Sequence, residues 1–401
     1  MTALSFSPPD IRDEDIAAVS EVLRSGWITT GPVARRFENL LAEMSGTPDA
    51  VAMASATAAM EASLRVLGIG PGDEVIVPAY TYTATASVVH HVGARAVIVD
   101  TPGATPHLGP DEVAAALTER TKAVIAVDLA GIPAAYDVIT EVLEAHTGRF
   151  HAEAPTQDAL GRVALVADAA HSVGARAAAG SVGSLADLTC YSFHAVKNLA
   201  TAEGGAVTWR AASDLGMSDD DLYRAFRRDI LHGQTKDALA KSKGGSWDYD
   251  IVELGHKANM TDIQAALGVS QMARLAELLE RRRAVLRHYD ELLADAPIEL
   301  MDHFASGESA AHLALAFLPE PAEDRRGEII SGLAARGVPT NVHYKPLTLL
   351  TAYQRLGWRP EDTPAALAWY QREITLPLHT LLTDDDVDTV GTAVAEEVTR
   401  R

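Results

Sequence analysis

The chain has 401 residues, 47% of them hydrophobic and 22% charged, with 29 glycines and 19 prolines spread along it, the make-up of a globular protein long enough for two domains. Its 34 Lys and Arg against 55 Asp and Glu leave a formal net charge of −21, which repels polyanions and excludes non-specific nucleic-acid binding. A single cysteine excludes a disulfide framework, and no apolar stretch reaches the ~18 uncharged residues of a membrane helix.

Residues 1–10 carry no basic region followed by an apolar core, so a cytoplasmic location without membrane contact is expected. Short apolar runs then alternate with longer amphipathic ones. Strands are expected at 73–78, 94–100, 122–128, 163–168 and 205–209, with helical patterns at 112–117 and 135–146 between them. The stretch 151–161, with Pro155, Gln157 and Asp158, reads as a loop inserted at the surface. Cys190 lies in the apolar run Leu188-Thr189-Cys190-Tyr191-Ser192-Phe193 and reads as a small buried hydrophobe. This alternation argues for an α/β fold, a large and mostly parallel sheet with helices on both faces, whose ligands sit beyond the strands' carboxyl ends.

After residue 209 a polar segment (Asp219-Asp220-Asp221, then Gly244-Gly245) leads to a long helical pattern over 261–293, carrying Arg281-Arg282-Arg283 on what reads as a solvated face. A boundary near Asp250 gives a large α/β domain over 1–250 and a smaller α+β domain over 251–401. The smaller one contains the strand-like 312–318 and the turn-rich 337–346.

Three local features carry chemistry. The run Ala54-Ser55-Ala56-Thr57-Ala58-Ala59-Met60-Glu61 places hydroxyl residues at the start of an alanine-rich helix, suited to phosphate binding or to plain capping. The strand 163–168 ends in Asp168, followed by Ala169-Ala170-His171; the acid either points into the ligand crevice or caps a helix. Ser192-Phe193-His194-Ala195-Val196-Lys197-Asn198 holds a lysine between a buried strand and the Gly204-Gly205 turn into the next. Partial desolvation there lowers an amine's pKa and suits it to Schiff-base chemistry; a surface loop lysine is the alternative. Neither a Walker motif nor a Gly-x-Gly-x-x-Gly fingerprint is present.

A reactive lysine, an acid aimed into the crevice and a phosphate-cradling helix start together match what pyridoxal 5'-phosphate (PLP) requires. The lysine forms the aldimine, the acid keeps the pyridine nitrogen protonated, and the helix holds the phosphate. Tyr82, after the strand 73–78, is placed to stack on the ring or to pack in the core.

The order and wording of these residues resemble the DegT/DnrJ/StrS-type sugar aminotransferases, which are fold-type-I PLP-dependent enzymes. The resemblance covers nearly the whole chain. It starts at Ser25-Gly26-Trp27-Ile28-Thr29-Thr30-Gly31-Pro32, passes through Pro71-Gly72-Asp73-Glu74-Val75-Ile76-Val77-Pro78 and the segments above, and continues through Asn259-Met260-Thr261-Asp262, Val342-His343-Tyr344 and Leu376-Pro377-Leu378.

By that resemblance Lys197 is the aldimine lysine, Asp168 the partner of the pyridine nitrogen, and His171, where many members carry glutamine, a contact to the ring. Ser55, Ala56, Thr57 and Ser192 hold the phosphate, although the family usually has Gly-Thr where this chain has Ala56-Thr57. Family members pair as homodimers with shared sites. Asn259, with Lys257 close by, would reach the neighbouring subunit's phosphate from a segment where Ala258 replaces a common aromatic. Trp27, Thr29, Thr30, His312, His343, Tyr344 and Lys345 lie where relatives line the substrate mouth, with Arg35 and Arg36 as further cations.

The resemblance implies a transaminase that loads the cofactor as pyridoxamine 5'-phosphate (PMP) from an amino donor such as L-glutamate, then aminates a keto sugar, nucleotide-linked or free. The alternatives are a PLP-dependent sugar dehydratase or deaminase of the same fold, or a non-catalytic PLP-binding regulator. Relatives that became dehydratases replace the lysine with histidine, and this chain keeps Lys197. No metal site is expected.

Overall fold

The computed structural model describes residues 4–236, 248–305, 307–319 and 323–400, so Gly244-Gly245 lie outside the described residues. Its frame is a seven-stranded sheet in the order β1-β9-β8-β5-β4-β2-β3. The strands are β1 (Ala50–Met53), β2 (Glu74–Pro78), β3 (Arg95–Val99), β4 (Thr121–Val127), β5 (Ala164–Asp168), β8 (Leu188–Ser192) and β9 (Gly205–Trp209). A short hairpin, β6 (Arg176–Ala177) and β7 (Gly180–Ser181), stands apart. The pairs from β3 to β8 are parallel, and only β9 runs against its two neighbours. The strands expected from the sequence thus form, each within a residue or two of its expected bounds.

Every residue of β4, β5, β8 and β9 is buried, as strands covered on both faces require. Successive side chains point to opposite faces, and the cores divide accordingly. Ile125, Val166 and Cys190 enter one; Val124, Leu165 and Tyr191 enter the other. The covering helices are α1 (Asp13–Ser25), α2 (Pro32–Ser45), α3 (Ala56–Val66), α4 (Ala84–His91), α5 (Pro110–Ala116), α6 (Tyr136–Ala145), α7 (Pro155–Leu160) and α8 (Asp219–Asp229). Beyond them α9 (Asp262–Met272) packs on α1 and α2, while α10 (Leu275–Leu293), α11 (Glu323–Ala335), α12 (Thr351–Arg355), α13 (Pro364–Arg372) and α14 (Asp384–Thr399) accompany an antiparallel sheet of β10 (Glu299–Leu300), β11 (Ala314–Phe317) and β12 (Glu373–Leu376). A third core forms here from Leu286, Tyr289, Leu333, Ile374, Val390 and their neighbours.

Three expectations need correction. The stretch 151–161 is not a loop but contains α7. Pro155 occupies its first turn and Gly161, at φ 67°, its C-terminal cap, so the proline that suggested a loop is the helix's own start. Gln157 is buried and donates to the Leu67 carbonyl at 3.0 Å, which ties the segment down. The long helical pattern is two helices, broken where Arg274 leaves helical geometry at φ −120° and its guanidinium reaches the buried Asp15 carboxylate at 2.7 Å. The arginine triplet is not a solvated face. Arg282 lies on the inner stripe of α10 with Leu278, Leu279, Val285, Leu286 and Tyr289, and is 4% exposed.

β9 begins where α3 begins, and the two backbones touch. A Cβ on Gly205 would lie 2.2 Å from the Ser55 carbonyl carbon and 2.3 Å from the Ala56 nitrogen. Gly205→Ala is expected to push the first turn of α3 off the sheet at a cost of about 1–3 kcal/mol, read as a lower urea midpoint; an unchanged midpoint would show that the two backbones can separate freely.

Candidate active site

The carboxyl ends of β2, β4, β5 and β8 and the amino end of β9 share one edge of the sheet, and a cavity of about 410 Å³ opens there. Ser55, Ala56, Thr57, Tyr82, Asp168, His171, Ser192, Lys197, His343 and Tyr344 line it. Sequence segments up to some 290 positions apart therefore converge on one space.

Asp168 closes β5 opposite Val127 of β4 and Cys190 of β8. No helix starts after it, which removes the capping alternative. Its Oδ2 accepts from Thr85 Oγ1 at 2.7 Å, its Oδ1 from the Ala170 amide at 3.3 Å, and Thr81 and Thr85 share a hydrogen bond of 2.8 Å. Burial pushes the carboxyl above its ordinary pKa, and the two hydrogen bonds and Lys197 counter this.

Lys197 follows β8 on a turn whose amide bonds the His194 carbonyl at 2.8 Å. Burial lowers its amine to about 8, with Asp168 opposing and Arg282 adding to the shift. An amine with that pKa is part neutral near pH 7 and able to act as a nucleophile and a proton carrier. Its Nζ lies 3.4 Å from His312 Nε2. His312 is behind the lysine rather than at the mouth.

Three histidines surround the amine, each held neutral by burial and by the lysine's charge. For His312 and His171, hydrogen bonds fix which ring nitrogen carries the proton. Asn198 Nδ2 donates to the Ala310 carbonyl at 2.6 Å, so its Oδ1 faces His312 Nδ1 at 3.0 Å and takes that proton; Nε2 then accepts from Lys197. His171 Nδ1 accepts the Ala130 amide at 3.3 Å, so its Nε2–H donates to the Tyr344 hydroxyl at 3.0 Å and leaves the phenol proton free for the cavity. The His171 and His312 rings meet at 4.4 Å between centroids.

Ser55 is the N-cap of α3, and its hydroxyl accepts the Ala58 amide at 3.1 Å. Ala56 and Thr57 follow in the first turn, where helix amides have no intrahelical acceptor. Ser192, 7% exposed, stands opposite at the end of β8. Tyr82 is 61% exposed and faces Tyr344 with ring centroids 6.0 Å apart, so core packing is not its role. Cys190 is buried and burial pushes its thiol up to about 12, as an inert hydrophobe requires.

Other candidates lie outside this cavity. Asn259 bridges Met53 at the end of β1, and its side chain bonds Thr30 and Lys257. Trp27 Nε1 donates to the Thr30 carbonyl at 3.2 Å, while Thr29 and Lys345 are exposed. Arg35 is engaged by Asp49 at 2.8 and 2.9 Å. Several contributors escaped the sequence reading: Thr85, Asn198, Arg282, Glu373 and Thr375. The spacing of Thr81 and Thr85, one helical turn, was the available signal for the first. Arg282 donates to the Ala311, His312 and Leu378 carbonyls at 3.4, 3.3 and 3.0 Å and thus anchors the His312 segment.

The donor set fits PLP. A buried amine, a buried carboxylate that two hydrogen bonds help to hold ionised, and a helix N-terminus face the same volume, which is of ligand size. Among the described residues no group of His, Cys, Asp and Glu has the arrangement of a metal site, and no helix is long and apolar enough to cross a membrane.

Comparison with known proteins agrees. The profile of the DegT/DnrJ/EryC1/StrS aminotransferase family matches residues 9–395. Spr1654 of Streptococcus pneumoniae, assigned as a sugar aminotransferase and solved in PMP and PLP forms, superposes in its PMP form with a TM-score of 0.96 at 46% identity, over 99% of each chain. The spore coat polysaccharide biosynthesis protein SpsC of Bacillus subtilis is 37% identical over 98% of this chain and 97% of its own length. DesI, solved in the presence of its TDP-sugar product, has a TM-score of 0.81 at 28% identity over 99% of this chain and 93% of its own. With the fold, the buried lysine and carboxylate, and these matches in agreement, the chain belongs to the DegT/DnrJ/EryC1/StrS family of PLP-dependent aminotransferases.

Proposed function

We propose that this aminotransferase moves the amino group of L-glutamate to a keto sugar, nucleotide-linked by analogy with the TDP-sugar complex of DesI, in the cytoplasm and as a homodimer with shared sites. The name of SpsC supports a product destined for a polysaccharide. The observation that carries the reading is the burial of the Lys197 amine and the Asp168 carboxylate in one cavity.

When bound, PLP supplies an electron sink for the bonds at the substrate's reacting carbon. The chain's residues do the rest. Asp168, its charge held by Thr85 and Ala170, would keep the pyridine nitrogen protonated. Lys197 carries the proton to and from the reacting carbon, with His312 Nε2 as the hydrogen-bond acceptor that aims the amine. Tyr344, its oxygen occupied by His171, offers its proton to a substrate oxygen. Ala56, Thr57 and Ser192 would cradle the phosphate.

Among the described residues Lys197 is the one lysine or arginine lining the cavity. A phosphate dianion is better held with a second positive charge, which supports a role for Lys257 and Asn259 of a neighbouring subunit. Trp27, Thr29, Thr30, His343 and Lys345 are proposed to meet the sugar in such an assembly.

Glutamate added without an acceptor is expected to bleach the visible absorbance of the holoenzyme with release of 2-oxoglutarate; a spectrum unchanged by glutamate would overturn the donor. Lys197→Ala should lower turnover by about 10²–10⁴-fold, and full activity in that variant would refute the lysine's role. For Thr85→Val, the carboxylate loses a donor worth about 1.5 kcal/mol, its pKa rises further, and the acid limb of the glutamate half-reaction should move up by about one pH unit. Mixing Lys197→Ala and Asn259→Ala proteins should restore activity through hybrid dimers that retain one native site. No recovery after subunit exchange would argue against shared sites.

A further inference from the structure

His343 lines the cavity with a ring whose Nδ1 is already engaged, 2.8 Å from the Thr375 hydroxyl. That hydroxyl in turn lies 2.5 Å from Glu373 Oε1, and Glu373 Oε2 accepts the His343 amide at 2.8 Å. Thr375 and Glu373 sit two residues apart on β12, so their side chains share a face, and the chain of bonds ends in a carboxyl group with no exposure. Nε2 of His343 makes no hydrogen bond among the described residues and is left to the cavity.

A hydroxyl between an imidazole and a carboxyl group transmits direction. When Glu373 is ionised, Thr375 must donate to it; the threonine oxygen then accepts from His343 Nδ1–H, and Nε2 presents a lone pair. When Glu373 is protonated it donates to Thr375, the threonine proton turns to Nδ1, and Nε2 carries the hydrogen. We propose that Glu373 is a positioning residue that acts through Thr375 to set the tautomer of His343, and so decides whether the cavity accepts or donates a hydrogen bond at this point.

The imidazole stays neutral in both states, because burial and the Lys197 charge hold it at about 4. Burial pushes Glu373 up to about 8, so its proton is exchanged in the working range; Thr375, the His343 amide and Arg326 of α11 pull the other way. Tyr80 and Tyr344 face it as well, and both phenols remain protonated throughout. In the ionised state the cavity presents a lone pair on His343 beside the phenol proton of Tyr344. This pair is complementary to a hydroxyl next to a carbonyl, the grouping of a keto sugar, and that part rests on the function proposed above.

The test is the tautomer itself, read by ¹⁵N NMR of histidine-labelled holoenzyme between pH 6.5 and 9.5. The native protein is expected to pass from Nε2–H to Nδ1–H at His343 as pH rises. Thr375→Ser should keep the transition, while Thr375→Val and Glu373→Gln should each abolish it. A single tautomer across the range in the native protein, or a transition that survives Thr375→Val in a folded holoenzyme, would overturn the proposal. For the acceptor sugar, Thr375→Val should raise KM by about 5- to 10-fold, with recovery in Thr375→Ser. The NMR readout needs no turnover, so its failure is distinct from a wrong acceptor or donor.

Discussion

Removing a carboxylate from water costs several kcal/mol unless charge and hydrogen bonds replace the solvent. Asp168 stands at the end of a strand buried along its whole length, and the site is arranged around that fact. Parallel pairing with β4 and β8 fixes where the carboxylate emerges. Thr85 supplies one hydrogen bond, the Ala170 amide the other, and Lys197 the opposite charge. The same burial that strains the acid lowers the amine, so the two perturbed groups stabilise each other's ionised forms. A bound pyridinium would complete the compensation that the protein alone supplies only in part.

Around this pair the polar network has a direction. Asn198 is oriented by a backbone carbonyl, His312 by Asn198, and the lysine by His312. A parallel line runs from the Ala130 amide through His171 to the Tyr344 hydroxyl. Neutral imidazoles suit this work, because each has one donor and one acceptor and passes on the orientation it receives. A charged ring would add repulsion beside Lys197.

Much of this was legible in the sequence, for stated reasons. An apolar run ending in an acid marks both a buried strand and its functional end, which made Asp168 readable, and the Gly204-Gly205 turn did the same for Lys197. The helix α7 was hidden by Pro155, a residue that punctuates loops and helix starts alike, and by the polar Gln157 and Asp158 that follow it. Arg282 was hidden by its neighbours: three consecutive arginines suggest solvent, although the spacing 278, 282, 285, 289 places one of them on the inner face. Glu373 and Thr375 gave no local sign, because their partner lies some 30 residues away and only the backbone bridge between Asn341 and Thr375 brings them together. The separation of Trp27, Thr30 and Asn259 from the cavity is likewise a property of three-dimensional placement.

Arg282 carries a mechanical consequence. Its guanidinium clamps the carbonyls of Ala311, His312 and Leu378 from helix α10, while the amide of His312 is held by the Ala130 carbonyl at 2.8 Å on the other side. The histidine that aims the lysine is thus suspended between the third core and the loop after β4. A displacement of α10 of even a few tenths of an ångström would alter the lysine–histidine separation directly, since close-packed interiors transmit rather than absorb strain. The hydrophobic layer at the far end of the chain is in this sense part of the apparatus that tunes the reactive amine.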